Sequence, residues 1–169
     1  MKNLATLLTL ALIAGCAGAG NTVLEDFGIR DRPDDYVSGE DKVFERLPNV
    51  GKAELARLNK EAGKGEVKFQ DGGALQGKYY KELKVYENFF PLEARSTTKG
   101  GTGPNRQRGY TGYIEYAYRI YQSPRKNSRP EAAALKADIP TTQRGRETYR
   151  YKFNASGTWL GGKAEAVKR

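Results

Sequence analysis

Residues 110–121 read YTGYIEYAYRIY, and this stretch decides the fold class. Tyr110, Ile114, Tyr116, Tyr118 and Ile120 fall on one face of an extended chain; Thr111, Tyr113, Glu115, Arg119 and Tyr121 fall on the other. Alternation with period two, carried by aromatic and β-branched residues, marks a strand that turns one face to a core. Two neighbouring stretches repeat the pattern. In residues 77–90, Leu83, Val85 and Phe89 share one face and Tyr80, Tyr86 and Phe90 the other, with Pro91 expected to limit the strand. In residues 147–153, Tyr149, Tyr151 and Phe153 alternate with Arg150 and Lys152. The plain reading of tyrosines alternating with charges is a core face and a solvated face.

The connections follow from turn chemistry. Residues 95–109 carry no hydrophobic period and read as a long exposed polar loop. Residues 123–130 form a basic loop, followed by a short helix over 130–137 with proline at its first position, and a connection over 141–145. Asn154 to Gly157 turns the chain into a final strand beginning at Thr158-Trp159-Leu160, which gives a carboxy-terminal hairpin. Residues 66–69 make a short strand ahead of the turn Asp71-Gly72-Gly73. On the amino-terminal side the periodicity becomes helical. Ser38 caps a helix with Glu40 and Asp41 in its first turn and Val43, Phe44 and Leu47 on one face; Pro48 ends it. A second helix carries Leu55, Leu58, Asn59 and Ala62 on a common face and stops at Gly63 and Gly65. The expected fold is α+β: two short amino-terminal helices on an antiparallel sheet of about four or five strands. A small β-sandwich or a partly open barrel is the alternative.

Residues 1–16 read MKNLATLLTLALIAGC. Lys2 supplies a positive start, residues 4–13 an apolar run, and Ile13-Ala14-Gly15-Cys16 a branched apolar residue, two small residues and a cysteine. The apolar run has signal-peptide length and falls short of the roughly 20 residues of a permanent span. The motif resembles the lipobox of bacterial lipoprotein precursors. That resemblance implies diacylglycerol on the Cys16 thiol, cleavage before Cys16 and acylation of the new amino terminus, so the chain would be membrane-anchored through more than one acyl chain. Cys16 is the only cysteine, so no internal disulfide can form. Ala17 stands where an aspartate would favour inner-membrane retention, so the resemblance favours the outer membrane. The expected organisation is a signal peptide over 1–15, a lipidated cysteine and lead-in over 16–37, and one domain over 38–169.

Hydrophobic residues make up only 38% of the chain, and eleven tyrosines compensate by burying large area while keeping a polar end. The formal net charge of +9 is uneven. Residues 17–50 hold eight acidic and four basic side chains, whereas residues 51–169 hold 24 basic and 12 acidic ones. In an envelope setting a basic body meets anionic lipid, lipopolysaccharide or cell-wall polymer, or other envelope proteins, rather than nucleic acid. The candidate anion- or glycan-binding residues are Arg106, Arg108, Arg125, Lys126, Arg129 and Arg150. Because the loops before and after residues 110–121 leave opposite ends of one strand, these residues need not form one patch.

Catalytic chemistry is mostly excluded by type. The chain has no histidine, which removes Ser-His and Cys-His pairs and histidine-based zinc sites. Asp31, Asp34 and Asp35 lack the glycine and terminal glutamate of an EF-hand, so no metal and no cofactor is expected. Gly100-Gly101-Thr102-Gly103 has no following helix to aim amides at a phosphate. Glu82, Glu87 and Glu115 could in principle serve a carboxylate-dependent glycan-cleaving enzyme, but Lys81 and Lys84 beside the first and Arg119 near the last favour cross-strand ion pairs. The sequence therefore points to a non-enzymatic envelope binding or assembly module. The rivals are a glycan-cleaving enzyme and a structural spacer.

Overall fold

A computed structural model describes Asp26 and residues 36–73, 76–99 and 107–167. Cys16 and the lipobox, most of the lead-in, the glycine run at 100–103 and Arg106 lie outside the described residues. Among the described residues, no helix is long and apolar enough to cross a membrane.

Helix α1 (Gly39–Ala62) leads into a meander of five strands, β1 (Glu66–Gln70), β2 (Lys78–Lys99), β3 (Gln107–Gln122), β4 (Ile139–Asn154) and β5 (Glu165–Val167). The short helix α2 (Arg129–Ala134) interrupts the β3–β4 connection. All neighbouring strands are antiparallel and the sheet order follows the chain, β1-β2-β3-β4-β5. The α+β expectation holds, as an open sheet rather than a sandwich or barrel.

The helix begins where the sequence places its cap: Ser38 Oγ accepts from the Asp41 amide at 3.0 Å. It does not stop at Pro48. The two expected helices are one, because Val43, Leu47, Val50, Glu54 and Leu58 form a continuous buried line along it. Pro48 and Phe44, four residues before it, both sit on the exposed side. The carbonyl that proline leaves without a helical donor therefore faces water, and burial of the opposite line outweighs its loss.

That line packs on Tyr110, Ile114, Tyr116, Tyr151 and Phe153, with Phe89 beside them. Two glycines permit the close approach. A Cβ on Gly51 would stand 2.4 Å from the Phe89 ring, and one on Gly112 would stand 2.4 Å from a Leu47 methyl. Inside the core, the hydroxyls of Tyr116 and Tyr151 bond each other at 2.8 Å. Burial pushes the Tyr116 phenol up to about 12. Glu54, only 3% exposed, is matched by Arg57, whose guanidinium donates to both carboxylate oxygens at 2.7–2.9 Å.

The strands outrun their expected bounds. β2 passes through Pro91 to Lys99, and β3 already begins at Gln107, so much of the expected 95–109 loop is a hairpin ladder. Beyond Glu82 β2 has no β1 partner, so Pro91 lies where the strand is an edge and tolerates a missing donor. Register shifts between Tyr86 and Asn88, and between Pro91 and Glu93, leave Glu87 and Leu92 as extra residues. The first of them corrects the expected faces. Tyr86 pairs with Tyr118 and Phe89 with Tyr116, so Tyr86 and Phe89 share the helix-facing side, while Phe90 joins Leu83 and Val85 on the other. Residues 141–145, expected as a connection, belong to β4, and the helix expected over 130–137 is α2, which ends at Ala134. The carboxy-terminal hairpin forms at Asn154 to Gly157, but Trp159 makes only an isolated bridge to Phe153, and the paired strand β5 comes later.

Candidate anion-binding groove

The register sets Thr111 opposite Lys152 and Tyr113 opposite Arg150, on the sheet face away from α1. Thr97, at the end of β2, shares that face. The side chains of Tyr151 and Phe153 point the other way into the core, so the charged residues between and beside them are held outward by burial of their neighbours. This is the division into core face and solvated face that the alternation implies.

The carboxy-terminal segment supplies a wall. Trp159 meets β4 at Phe153, the Leu160 amide donates to the Lys152 carbonyl at 3.0 Å, and Glu165 rejoins β4 at Arg150. More residues lie between these two attachments on the returning segment than on β4. Residues 161–164 must therefore bow away, and Gly161 and Gly162 make the bend with φ of 68° and 88°. The sheet end, with Leu160 and Glu165 at the two attachments, borders an open groove of about 760 Å³ whose lining includes Arg108, Arg150 and Lys152. A smaller cleft of about 210 Å³ adjoins it between β4 and the bowed residues, and it shares Arg150, Lys152 and Glu165.

Electrostatics in the groove are one-sided. Glu165 accepts from Arg150 Nε at 2.7 Å and from the Lys152 ammonium. Hydrogen bonds from Lys152 and Arg150 hold the exposed Glu165 carboxyl down to about 2. One carboxylate thus answers two cations, and Glu165 is the only acid among the described lining residues. Thr97, Thr111 and Asn154 add neutral polar groups to the lining. Such a site can hold a phosphate, a sulfate or a carboxylate by charge-assisted hydrogen bonds.

The candidate residues from the sequence divide. Arg108 and Arg150 both border the groove, but Arg150 lies on its sheet face, opposite Tyr113, whereas Arg108 is in step with core-facing Tyr110 on the other face. Arg125, Lys126 and Arg129 gather at the opposite end of β3, roughly 45 Å away for the 14 residues from Arg108 to Gln122. There Arg125 donates to Gln70 Oε1 at 2.6 Å and lies over the Tyr80 ring at 5.1 Å, while the Lys126 backbone pairs with Tyr79. Arg129 starts α2. Sequence reasoning did not select Lys152 or Glu165. Lys152 was legible as the second residue after Arg150, on the same strand face. Glu165 was not, because its partners depend on where the bowed segment rejoins the sheet.

The other carboxylates are engaged. Glu82 pairs with Lys68 at 2.5 Å, Glu115 with Arg146 at 2.9 Å and Glu87 with Arg119 at 3.3 Å. These are cross-strand ion pairs as expected, with different partners: Lys68 rather than Lys81 or Lys84, and Arg146 rather than Arg119. A further cluster, unread in the sequence, lies on the helix-facing side. Glu147 accepts from Lys84 at 2.6 Å, Tyr86 at 2.6 Å and Tyr149 at 3.1 Å, and Lys84 stands 4.5 Å above the Tyr118 ring. Burial pushes the Glu147 carboxyl upward, but the hydrogen bonds from Lys84 and Tyr86 outweigh it and hold the group below the usual carboxylate range. A general acid needs the opposite shift. Among the described residues no cluster of acids, cysteine or histidine could hold a metal ion.

No protein-family model matches the chain, and no curated protein or solved structure is measurably similar to it.

Proposed function

We propose that the protein is a non-enzymatic binding module, anchored to the outer membrane through lipid on Cys16, whose groove at the β3–β4 end takes an anionic envelope ligand. The observation that carries the reading is the groove itself: Arg150 and Lys152 share Glu165, the one acid among its described lining residues, beside an open space large enough for a charged headgroup or polymer segment. The lipobox supplies the anchor and hence the setting. The saturated carboxylates and the lack of histidine favour binding over catalysis.

The test compares two charge reversals in the lipidated full protein. Arg150→Glu with Lys152→Glu reverses the two cations on the groove's sheet face; Arg125→Glu with Arg129→Glu changes the same charge at the far end of the sheet. Co-sedimentation with lipopolysaccharide and peptidoglycan is expected to fall tenfold or more, on the order of 1 kcal/mol per charge, for the first pair and little for the second. Equal losses would mean that net charge rather than the groove does the binding. The anchor is tested separately, by incorporation of labelled fatty acid that disappears on Cys16→Ser.

A further inference from the structure

β4 carries the cations of the groove onward along the same sheet face. The β3–β4 register is unbroken from Gly109 and Asn154 to Arg119 and Arg144, so Arg144 and Arg146 point the same way as Arg150 and Lys152, away from α1. Arg146 marks the side: it donates to Glu115 at 2.9 Å and lies over the Phe90 ring at 5.7 Å, both on that face. From Arg144 to Lys152 the row covers eight strand steps, about 27 Å.

One pair in this row breaks a local rule. Arg144 stands directly opposite Arg119. The Lys152 carbonyl accepts from Leu160 and so faces away from β3; with period two, the main-chain groups of Arg144 do the same. Arg119 and Arg144 are therefore a non-hydrogen-bonded pair, the kind whose side chains stand closest. Like charges placed so destabilise a sheet. Glu87 answers Arg119, 3.3 Å from its Nε, but among the described residues no carboxylate pairs with the exposed Arg144. Glu115 is taken by Arg146, and Glu165 by Arg150 and Lys152, so five cations meet three carboxylates here. Arg146 and Arg150 are each held by a carboxylate, which fixes their forks and leaves other N–H donors for a ligand. An unfavourable pair on an open surface is what a bound anion would relieve.

We infer that this face is a track for an extended acidic polysaccharide, which enters at the groove on Arg150 and Lys152 and runs along β4 to the Arg119–Arg144 pair. The inference rests on the anion-binding reading of the groove and extends it from one anionic group to a polymer. Cations two residues apart on a strand stand about 7 Å from each other. That suits one charge per sugar-sized unit better than inorganic polyphosphate, whose phosphates are joined through a single oxygen. The Phe90 and Tyr113 rings lie beneath Arg146 and Arg95, so the face offers guanidinium forks rather than bare rings on which nucleic-acid bases could stack.

Polygalacturonate, a linear chain with one carboxylate per sugar, and its dimer are the probes, with the lipidated full protein in neutral detergent micelles. Arg144→Glu is expected to weaken polygalacturonate binding about fivefold, the size of one exposed ion pair, and to leave digalacturonate binding unchanged. Arg150→Glu with Lys152→Glu is expected to lose both probes, and Arg129→Glu neither. Arg144→Glu also sets a carboxylate opposite Arg119, so its urea midpoint is expected to rise, which separates lost affinity from lost fold. If Arg144→Glu binds the polymer like the parent while the groove variant does not, the groove stands and the track falls. If the groove variant also binds like the parent, or the parent binds neither probe, the groove falls with it. An equal loss with Arg129→Glu would reduce the effect to net charge and overturns the inference. So does a lowered urea midpoint for Arg144→Glu, which would mean that the two arginines need no anion between them. Oligodeoxythymidylate binding more tightly than polygalacturonate, with the same response to Arg144→Glu, would make the occupant a nucleic-acid strand and overturn the polysaccharide.

Discussion

At the scale of single residues, the most informative side chain is Asn59. β1 pairs with β2 only as far as Glu82, so the edge of β2 beyond it lacks a neighbouring strand. Asn59 takes the place of one. Its amide donates to the Tyr86 carbonyl at 2.9 Å, and its oxygen accepts from the Tyr86 amide at 2.8 Å, just before the extra residue Glu87. The helix is thereby locked to the bulge that turns Tyr86 toward the core. Asn59→Ala leaves both main-chain groups of a nearly buried residue without these partners, and is expected to cost about 1–3 kcal/mol. Urea unfolding checks this as a lowered midpoint with an unchanged slope. A midpoint within error of the parent would mean that water satisfies Tyr86 equally well. That Asn59 faces inward could be read from its spacing with Leu55 and Leu58. Its partner could not, because the bulge that creates the demand leaves no mark in residues 84–90.

At the scale of elements, Pro48 shows how burial overrides a local rule. Proline in a helix interior costs about 3 kcal/mol against alanine, of which about 1 kcal/mol returns through a stiffer unfolded chain. Pro48→Ala is therefore expected to stabilise the protein by about 1–2 kcal/mol, read as a raised urea midpoint. A destabilised variant would show that α1 needs a proline bend to follow the twist of the sheet. The same competition explains what was legible in the strands. β3 could be read outright because its alternation is unbroken and both its neighbours in the sheet are complete. β2 was cut short at Pro91 and its faces misread at Tyr86, since a proline at an unpaired edge and a one-residue bulge are both settled by the neighbouring strand. The groove stood between these cases. Arg108 and Arg150 could be picked by residue type, but the β3–β4 register sets Arg150 and Lys152 on one face and Arg108 on the other, and the wall with Leu160 and Glu165 depends on where the chain reattaches.

At the scale of the whole molecule, the charge pattern sets how stability and binding respond to pH. Glu165 is held at about 2 by Lys152 and Arg150, and Glu147 lies below its ordinary value for the reasons given above. Both carboxyls bind protons more weakly folded than unfolded, where the ordinary value is 4.5. Their contribution to stability is therefore complete above about pH 4.5 and is lost as pH falls toward about 2. With no histidine, no side chain of ordinary pKa changes charge between about pH 5 and pH 8. Stability and groove binding are both expected to be flat across that range, and stability to decline only on the acid side. Glu165→Gln separates the two effects. It removes the exposed acid-sensitive group and leaves Arg150 and Lys152 without their shared carboxylate, so part of the acid decline should disappear while affinity for anionic vesicles or polyphosphate rises. Added salt should weaken that affinity in parent and variant alike, because an open groove is screened. Thermal unfolding against pH, and vesicle binding at two salt concentrations, check both expectations. If Glu165→Gln bound anions more weakly than the parent, the carboxylate would be orienting the two cations for the ligand rather than competing with it, and the groove would be a prearranged site rather than a basic patch.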